Sequence, residues 1–214
     1  MRQSAFLLPG VLPSLLLMAL FSRAAFAADP WETLAKPVDT AAEAGQIEVA
    51  ELFWYGCNHC DALEPYLSKW LAQEKPDDVS FVRIPAVFSD QWLPLARAYY
   101  AMQLLDLGQE AHEAMFDAIH RQRRNMNSAE ELEKFFADHG VAGEKFRETY
   151  NSFAVDTMVR RAVRLTRDYR ITGVPALAVA GKYVTSSSRA GGHVQALEVV
   201  ERLLAMERAA QSGS

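Results

Sequence analysis

The chain alternates between stretches with strand periodicity and stretches with helical periodicity, and the order of the two is informative. Residues 47–55 form an apolar run broken by Glu48 and Glu51 alone, the pattern of a strand covered on both faces. Gly56 ends the run and Cys57 follows at once. Positions 58–72 turn helical, with Leu63, Leu67, Trp70 and Leu71 on one face. Residues 79–84 alternate as a second strand, closed by Pro85.

A long helical tract follows. Trp92, Leu95, Tyr99 and Met102 keep helical spacing as far as Gly108, and Met115, Phe116 and Ile119 continue it. Ser128 with Glu131 makes a capping box ahead of Leu132, Phe135 and Phe136, and Gly140 closes that helix. A last helix over about 152–169 carries Val155, Val159, Ala162 and Tyr169 on one stripe. Strand character returns at 176–180, Gly181-Lys182 predicts a hairpin turn into 183–185, and a helix over about 193–208 ends the pattern. The order predicts an α/β sheet interrupted once. Block 89–170 reads as an all-helical insertion domain of 82 residues, and 28–88 with 171–214 leaves 105 residues, enough for a small domain.

Ahead of this pattern, Met1 and Arg2 give a positive start, residues 6–21 are almost wholly apolar, and Ala25-Phe26-Ala27 supplies small residues for cleavage. Residues 1–27 are therefore expected to be a signal peptide cut after Ala27. Pro9, Gly10 and Pro13 interrupt the apolar run, which falls short of the ~20 residues that span a bilayer. The formal net charge of the whole chain is −5; losing Arg2 and Arg23 with no acid leaves −7. That sign opposes nucleic-acid binding. The basic clusters at 121–124 and at Arg160, Arg161 and Arg164 fit solvated helix faces.

Export leads to a compartment where disulfides persist, yet the chain has two cysteines, Cys57 and Cys60, three positions apart. Cys57 falls at the junction of a buried strand and a helix, where unpaired N–H groups and the helix dipole favour a thiolate. His59 either adds to that effect by charge or hydrogen bond, or faces solvent. A lowered pKa makes Cys57 a good leaving group, and stabilising the reduced form makes the disulfide oxidising. Cys60, on the same face by the i, i+3 rule, is expected to close the disulfide as the buried partner. A structural staple over so short a loop is worth only ~2 kcal/mol. A zinc site needs two more ligands, and His112, His120, His139 and His193 lack the spacing to provide them.

Two further features bear on the pair. Gly173-Val174-Pro175 precedes the hairpin strand; a cis Val174–Pro175 bond would present the backbone of Val174 to an extended substrate, and an ordinary trans proline opening an edge strand fits equally. Glu51, six residues before Cys57, is either buried and exchanging protons with Cys60, or facing water at the strand end.

Residues 51–60 (Glu51-Leu52-Phe53-Trp54-Tyr55-Gly56-Cys57-Asn58-His59-Cys60), the helical block, and Thr172-Gly173-Val174-Pro175 together resemble the DsbA family of periplasmic disulfide donors. The resemblance extends from Trp31-Glu32-Thr33-Leu34 to the last helix. It implies a thioredoxin fold with an inserted helical domain, a cis proline at Pro175, and a monomeric periplasmic enzyme without a cofactor beyond its Cys57–Cys60 disulfide. It also implies exported proteins with free thiols as substrates, and reoxidation by a quinone-linked membrane partner of the DsbB type. This family is itself a standard example of a depressed cysteine pKa and an oxidising pair, so the resemblance implies both. One position departs: Asn58 stands where family members commonly have proline. Asn58 restores a backbone N–H near the thiolate and gives up proline's rigidity, two opposed effects on redox tuning.

The expected activity is donation of a disulfide through a mixed disulfide at Cys57. A periplasmic isomerase or reductase is the rival enzyme; such isomerases resemble dimers with a separate N-terminal dimerisation domain, and only about 18 residues separate position 28 from the first strand. A peptide-binding chaperone with incidental cysteines is the rival of another class.

Overall fold

The computed structural model describes residues 29–213; the expected signal peptide and its cleavage point lie outside them. Five strands form one mixed sheet: β1 (Glu32–Thr33), β2 (Ile47–Phe53), β3 (Val79–Pro85), β4 (Ala176–Val179) and β5 (Tyr183–Thr185), in the order β1-β5-β4-β2-β3. β2 runs parallel to β3 and antiparallel to β4, and β4, β5 and β1 are joined by antiparallel pairing. Between β2 and β3 lies α1 (Asn58–Gln73). Between β3 and β4 lie α2 (Leu93–Leu104), α3 (Gly108–His120), α4 (Ala129–Asp138), α5 (Gly143–Tyr150) and α6 (Phe153–Asp168). After β5 come the short α7 (Ser187–Ala190) and α8 (His193–Ser212). This is a thioredoxin fold interrupted by a helical domain.

Every residue of β2 is buried, the two glutamates included. Because side chains alternate along a strand, Ile47 and Val49 pack with α1 and α8 through Leu63, Leu67, Trp70 and Leu203, whereas Ala50 and Leu52 face the helical domain. Glu48 points to that second face and accepts the N–H of Ala41 at 2.7 Å. The second face has no cover of its own. It shares one core with the insertion, in which Phe53 and Tyr55 meet Tyr99 and Phe116 edge to face or tilted, with centroids 4.9–6.5 Å apart. Replacing Phe116 with Ala should therefore cost about 3–5 kcal/mol, read as a lower urea midpoint, although the residue lies outside the sheet.

Element ends differ from the sequence reading in a few places, each for a local reason. β2 stops at Phe53, two residues early, because Cys57 N–H turns back to the Trp54 carbonyl at 3.0 Å. The hairpin bends at Ala180 and Gly181, both at positive φ, one position before the expected Gly181-Lys182. Glycine is required at 181 by close approach: a Cβ there would sit 2.0 Å from the Val38 carbonyl, while Val38 N–H donates to the Gly181 carbonyl at 2.8 Å. Ser128 and Ser152 cap α4 and α6 through their hydroxyls, as their sequence context requires.

Candidate active site

The register of the central strands assembles the site. Leu52 pairs with Ala176, so continuing the antiparallel count places Pro175 and Val174 level with Phe53 and Trp54, at the turn that leads into α1. The Val174–Pro175 bond is cis. Cys57 is the N-cap of α1, half-buried, and its thiol donates to the Val174 carbonyl at 3.5 Å. Cys60, one turn into α1, is wholly buried. Its N–H and that of Asp61 both donate to the Cys57 carbonyl at 3.1 Å, which holds the first turn closed over the pair.

The two thiols have opposite acidities. Cys57 is lowered to about 6, chiefly by a hydrogen bond from the Cys60 thiol; the N–H groups of Cys60 and His59 and the charge of His59 add to this, and partial burial opposes it. None of those N–H groups closes as a side-chain cap of the helix. Burial pushes the Cys60 thiol far up, and its bond to Cys57 pushes it further. The main support of the Cys57 thiolate is thus its own partner, ahead of the helix end and His59 on which the sequence reading rested.

His59 is exposed, and it lines the same groove as Val174 and Pro175. Asn58 is exposed and its side chain forms no hydrogen bond among the described residues. Gly56 is required by its neighbour: the Trp54 indole folds back over it, so that a Cβ at 56 would lie 2.4 Å from the ring. That indole stacks on Trp92 of the helical domain, centroids 4.1 Å apart and nearly parallel.

Glu51 sits deeper, with no exposed surface, so it does not face water at the strand end. In the parallel register Glu51 faces Arg83, whose Nε donates to it at 3.0 Å. Arg83 Nη2 also donates to Glu64 at 3.2 Å. Glu64 in turn meets His112 Nε2 at 3.2 Å, and His112 Nδ1 lies 2.7 Å from the Tyr55 hydroxyl. One guanidinium thus serves two buried carboxylates, and they respond differently. Glu51 is pushed up to about 8 by burial and then by the charge of Glu64, which together exceed the pull of Arg83. Glu64 is buried too, but the His112 hydrogen bond and Arg83 outweigh that and hold it low. Burial lowers His112.

The sequence reading missed Tyr55, Glu64, Arg83, His112 and His120. His120 Nε2 lies 2.7 Å from the Tyr55 carbonyl, so α3 grips Tyr55 at both ends. A signal existed: Glu64 falls on the buried stripe of Cys60, Leu63 and Leu67, and Arg83 continues the inward alternation of Val79 and Phe81.

The Glu51 shift gives stability a pH dependence of known sign. In the fold Glu51 keeps its proton to about pH 8, and in the unfolded chain it loses it near 4.5. The unfolded state binds fewer protons over that window, so stability falls as pH rises from about 4.5 to about 8. Glu51→Gln should lack this contribution and show a smaller loss of denaturation midpoint across the same window. His112 is common to both proteins, so their difference reports Glu51 together with the charges that face it, Glu64 and Arg83.

Known proteins are similar to this chain in sequence and fold. The family model described as a DSBA-like thioredoxin domain matches residues 77–198. The thiol:disulfide interchange protein DsbA of Pseudomonas aeruginosa is 39% identical over 206 residues, 94% of this chain and 97% of its own. The crystal structure of Pseudomonas aeruginosa DsbA superposes with a TM-score of 0.81 at 39% identity, covering 86% of this chain and 94% of that one. The oxidoreductase DsbA from Xylella fastidiosa does so with a TM-score of 0.77 at 33% identity, covering 84% and 95%. The chain therefore belongs to the DsbA family and is a thiol–disulfide oxidoreductase.

Proposed function

We propose that this oxidoreductase donates disulfides, with Cys57 as the exchanging sulfur and Cys60 as its buried partner. One observation carries the direction: Cys57 is acidified to about 6 while Cys60 is held as a thiol. A reduced form stabilised as thiolate makes the bridge a strong oxidant.

In the first step a substrate thiolate attacks the Cys57 sulfur, a Cys57–substrate disulfide forms, and Cys60 leaves and takes a proton. Glu51, which keeps a proton to about pH 8, is a source for it. In the second step another substrate thiolate attacks the substrate sulfur of the mixed disulfide, and Cys57 leaves as a thiolate. The substrate gains a disulfide, the protein gains two electrons, and Glu51 recovers from solvent the proton it passed to Cys60. His59 supports the leaving thiolate by its charge and its N–H, Asn58 stands between the two sulfurs as the position that tunes the pair, and Val174 with Pro175 offers an extended substrate a backbone edge beside the sulfur.

Its substrates are then exported polypeptides with free thiols, met as a monomer in the periplasm after loss of residues 1–27. A quinone-linked membrane oxidase of the DsbB type restores the bridge, and the Cys57–Cys60 disulfide is the only redox group required. Residues 28–88 and 171–214 carry the redox pair, and 89–170 cover it as the helical domain. A reductase would need the bridge to be the stable form, so that the reduced pair gives up its electrons readily, and an acidified Cys57 disfavours that.

The test is the equilibrium of the pair with glutathione, alongside thiolate absorbance against pH. We expect a thiolate midpoint near pH 6, an equilibrium that favours the reduced protein, and stoichiometric oxidation of a reduced two-cysteine peptide by the bridged protein. A pair that glutathione leaves bridged, as in a reductase, refutes the donor.

A further inference from the structure

A groove of about 870 Å³ runs from His59 past Val174 to the start of α8. Its lining has a sign opposite to that of the protein. Arg170, Arg189, His59 and His193 face it, against Glu32 as the one acid, while the whole chain carries −5. Arg170 is exposed and makes no ion pair among the described residues. Arg189 reaches Glu32 through one nitrogen at 3.4 Å and keeps 42% of its side chain exposed. His193 is held by the Ser187 hydroxyl at 2.8 Å, and the hydroxyls of Ser186 and Ser188, 3.0 Å from each other, belong to the same wall. Ile171, Val174 and Val184 supply the apolar part of the lining.

We propose that this groove selects substrates by charge: it takes an extended polypeptide segment that carries Asp or Glu close to its reacting cysteine. The inference rests on the donor reading and names the substrate class. Position agrees with it, because Val174 lines the groove and its carbonyl accepts from the Cys57 thiol at 3.5 Å, so the groove adjoins the reacting sulfur. The expected preference runs against the protein as a whole. A net charge of −5 alone favours basic partners, so a preference for acidic ones has to come from the groove. Exposed charge pairs are individually weak, and the effect on encounter and docking is correspondingly modest.

The test uses three two-cysteine peptides that differ in one residue near the reacting cysteine, Glu, Gln or Lys, and measures kcat/KM for their oxidation by the bridged protein. The Glu peptide should exceed the Lys peptide about threefold to tenfold, with Gln between. The gap should close near 1 M salt, where screening acts within ~3 Å. R170E/R189E should reverse the order, and because each protein preparation is compared with itself, a partly folded variant does not distort the ratio. Equal values for the three peptides, or an order unchanged in R170E/R189E, overturn the proposal. If the bridged protein oxidises none of them, the donor reading falls instead. The groove is then judged by the rate at which reduced C60A forms a mixed disulfide with the same peptides activated as aromatic disulfides, with the same order expected and equal rates overturning it.

Discussion

Cys57→Ala is expected to reduce disulfide transfer to the uncatalysed level, whereas Cys60→Ala should still react and then stop. The contrast follows from the asymmetry of the pair. Cys57 is half-buried at the head of α1 and acidified to about 6, so without Cys60 it remains the one sulfur that a substrate can reach. Given a disulfide-bonded substrate, the Cys57 thiolate attacks one sulfur, a Cys57–substrate bond forms, and a substrate thiolate departs. The buried thiol that would displace the adduct is absent, so a mixed disulfide accumulates and migrates as a larger species in a non-reducing gel. Cys60→Ala also removes the hydrogen bond that does most to acidify Cys57, and its thiolate midpoint should move upward. A Cys60 variant that turned over as the native protein does would show that the pair is not the redox unit. Equal aggregation suppression by all three proteins, with no transfer by any, would favour the chaperone reading.

Arg83→Met is expected to cost the fold about 3–5 kcal/mol, the usual result of removing one partner from a buried ion pair. Arg83 spans Glu51 and Glu64 with two nitrogens and Gln109 with a third, at 3.0, 3.2 and 2.9 Å. A methionine of similar length leaves the Glu64 carboxylate in the core with His112 as its donor, and takes the Nε bond from Glu51, which keeps its proton to about pH 8. Arg83→Lys should recover only part of the loss, since one ammonium cannot reproduce the fork. Above about pH 8, where Glu51 ionises as well, the cost of Arg83→Met should grow, and a Glu51→Gln background should remove that growth. Urea midpoints of the four proteins measure the coupling. A single-variant loss below about 1 kcal/mol would mean that water reaches the network and screens it.

Much of the architecture was legible from local pattern. The apolar run at 47–55 marked the central strand, Ser128 and Ser152 marked two helix starts, and the cysteines fell at a strand–helix junction. Elements with weak local signals were missed. In α5 only Phe146 and Thr149 are buried, too few for a visible stripe; β1 is two residues held by pairing with β5; α7 is four residues long. The hairpin turn shifted because Ala180 adopts a positive φ, which composition favours less than glycine.

By itself, then, the sequence determined that Cys57 heads a helix with Cys60 one turn inside it, since i, i+3 spacing is a property of the helix and needs no distant partner. It also determined that the sheet is interrupted by a helical block. Only the tertiary structure decided what surrounds the sulfurs. The Val174 carbonyl meets Cys57 across 117 positions of chain, Arg83 meets Glu51 across 32, and His112 meets Tyr55 across 57. Those contacts depend on strand register and on how α3 packs against the turn; periodicity can mark Arg83 as inward-facing, but it does not say which residue it meets.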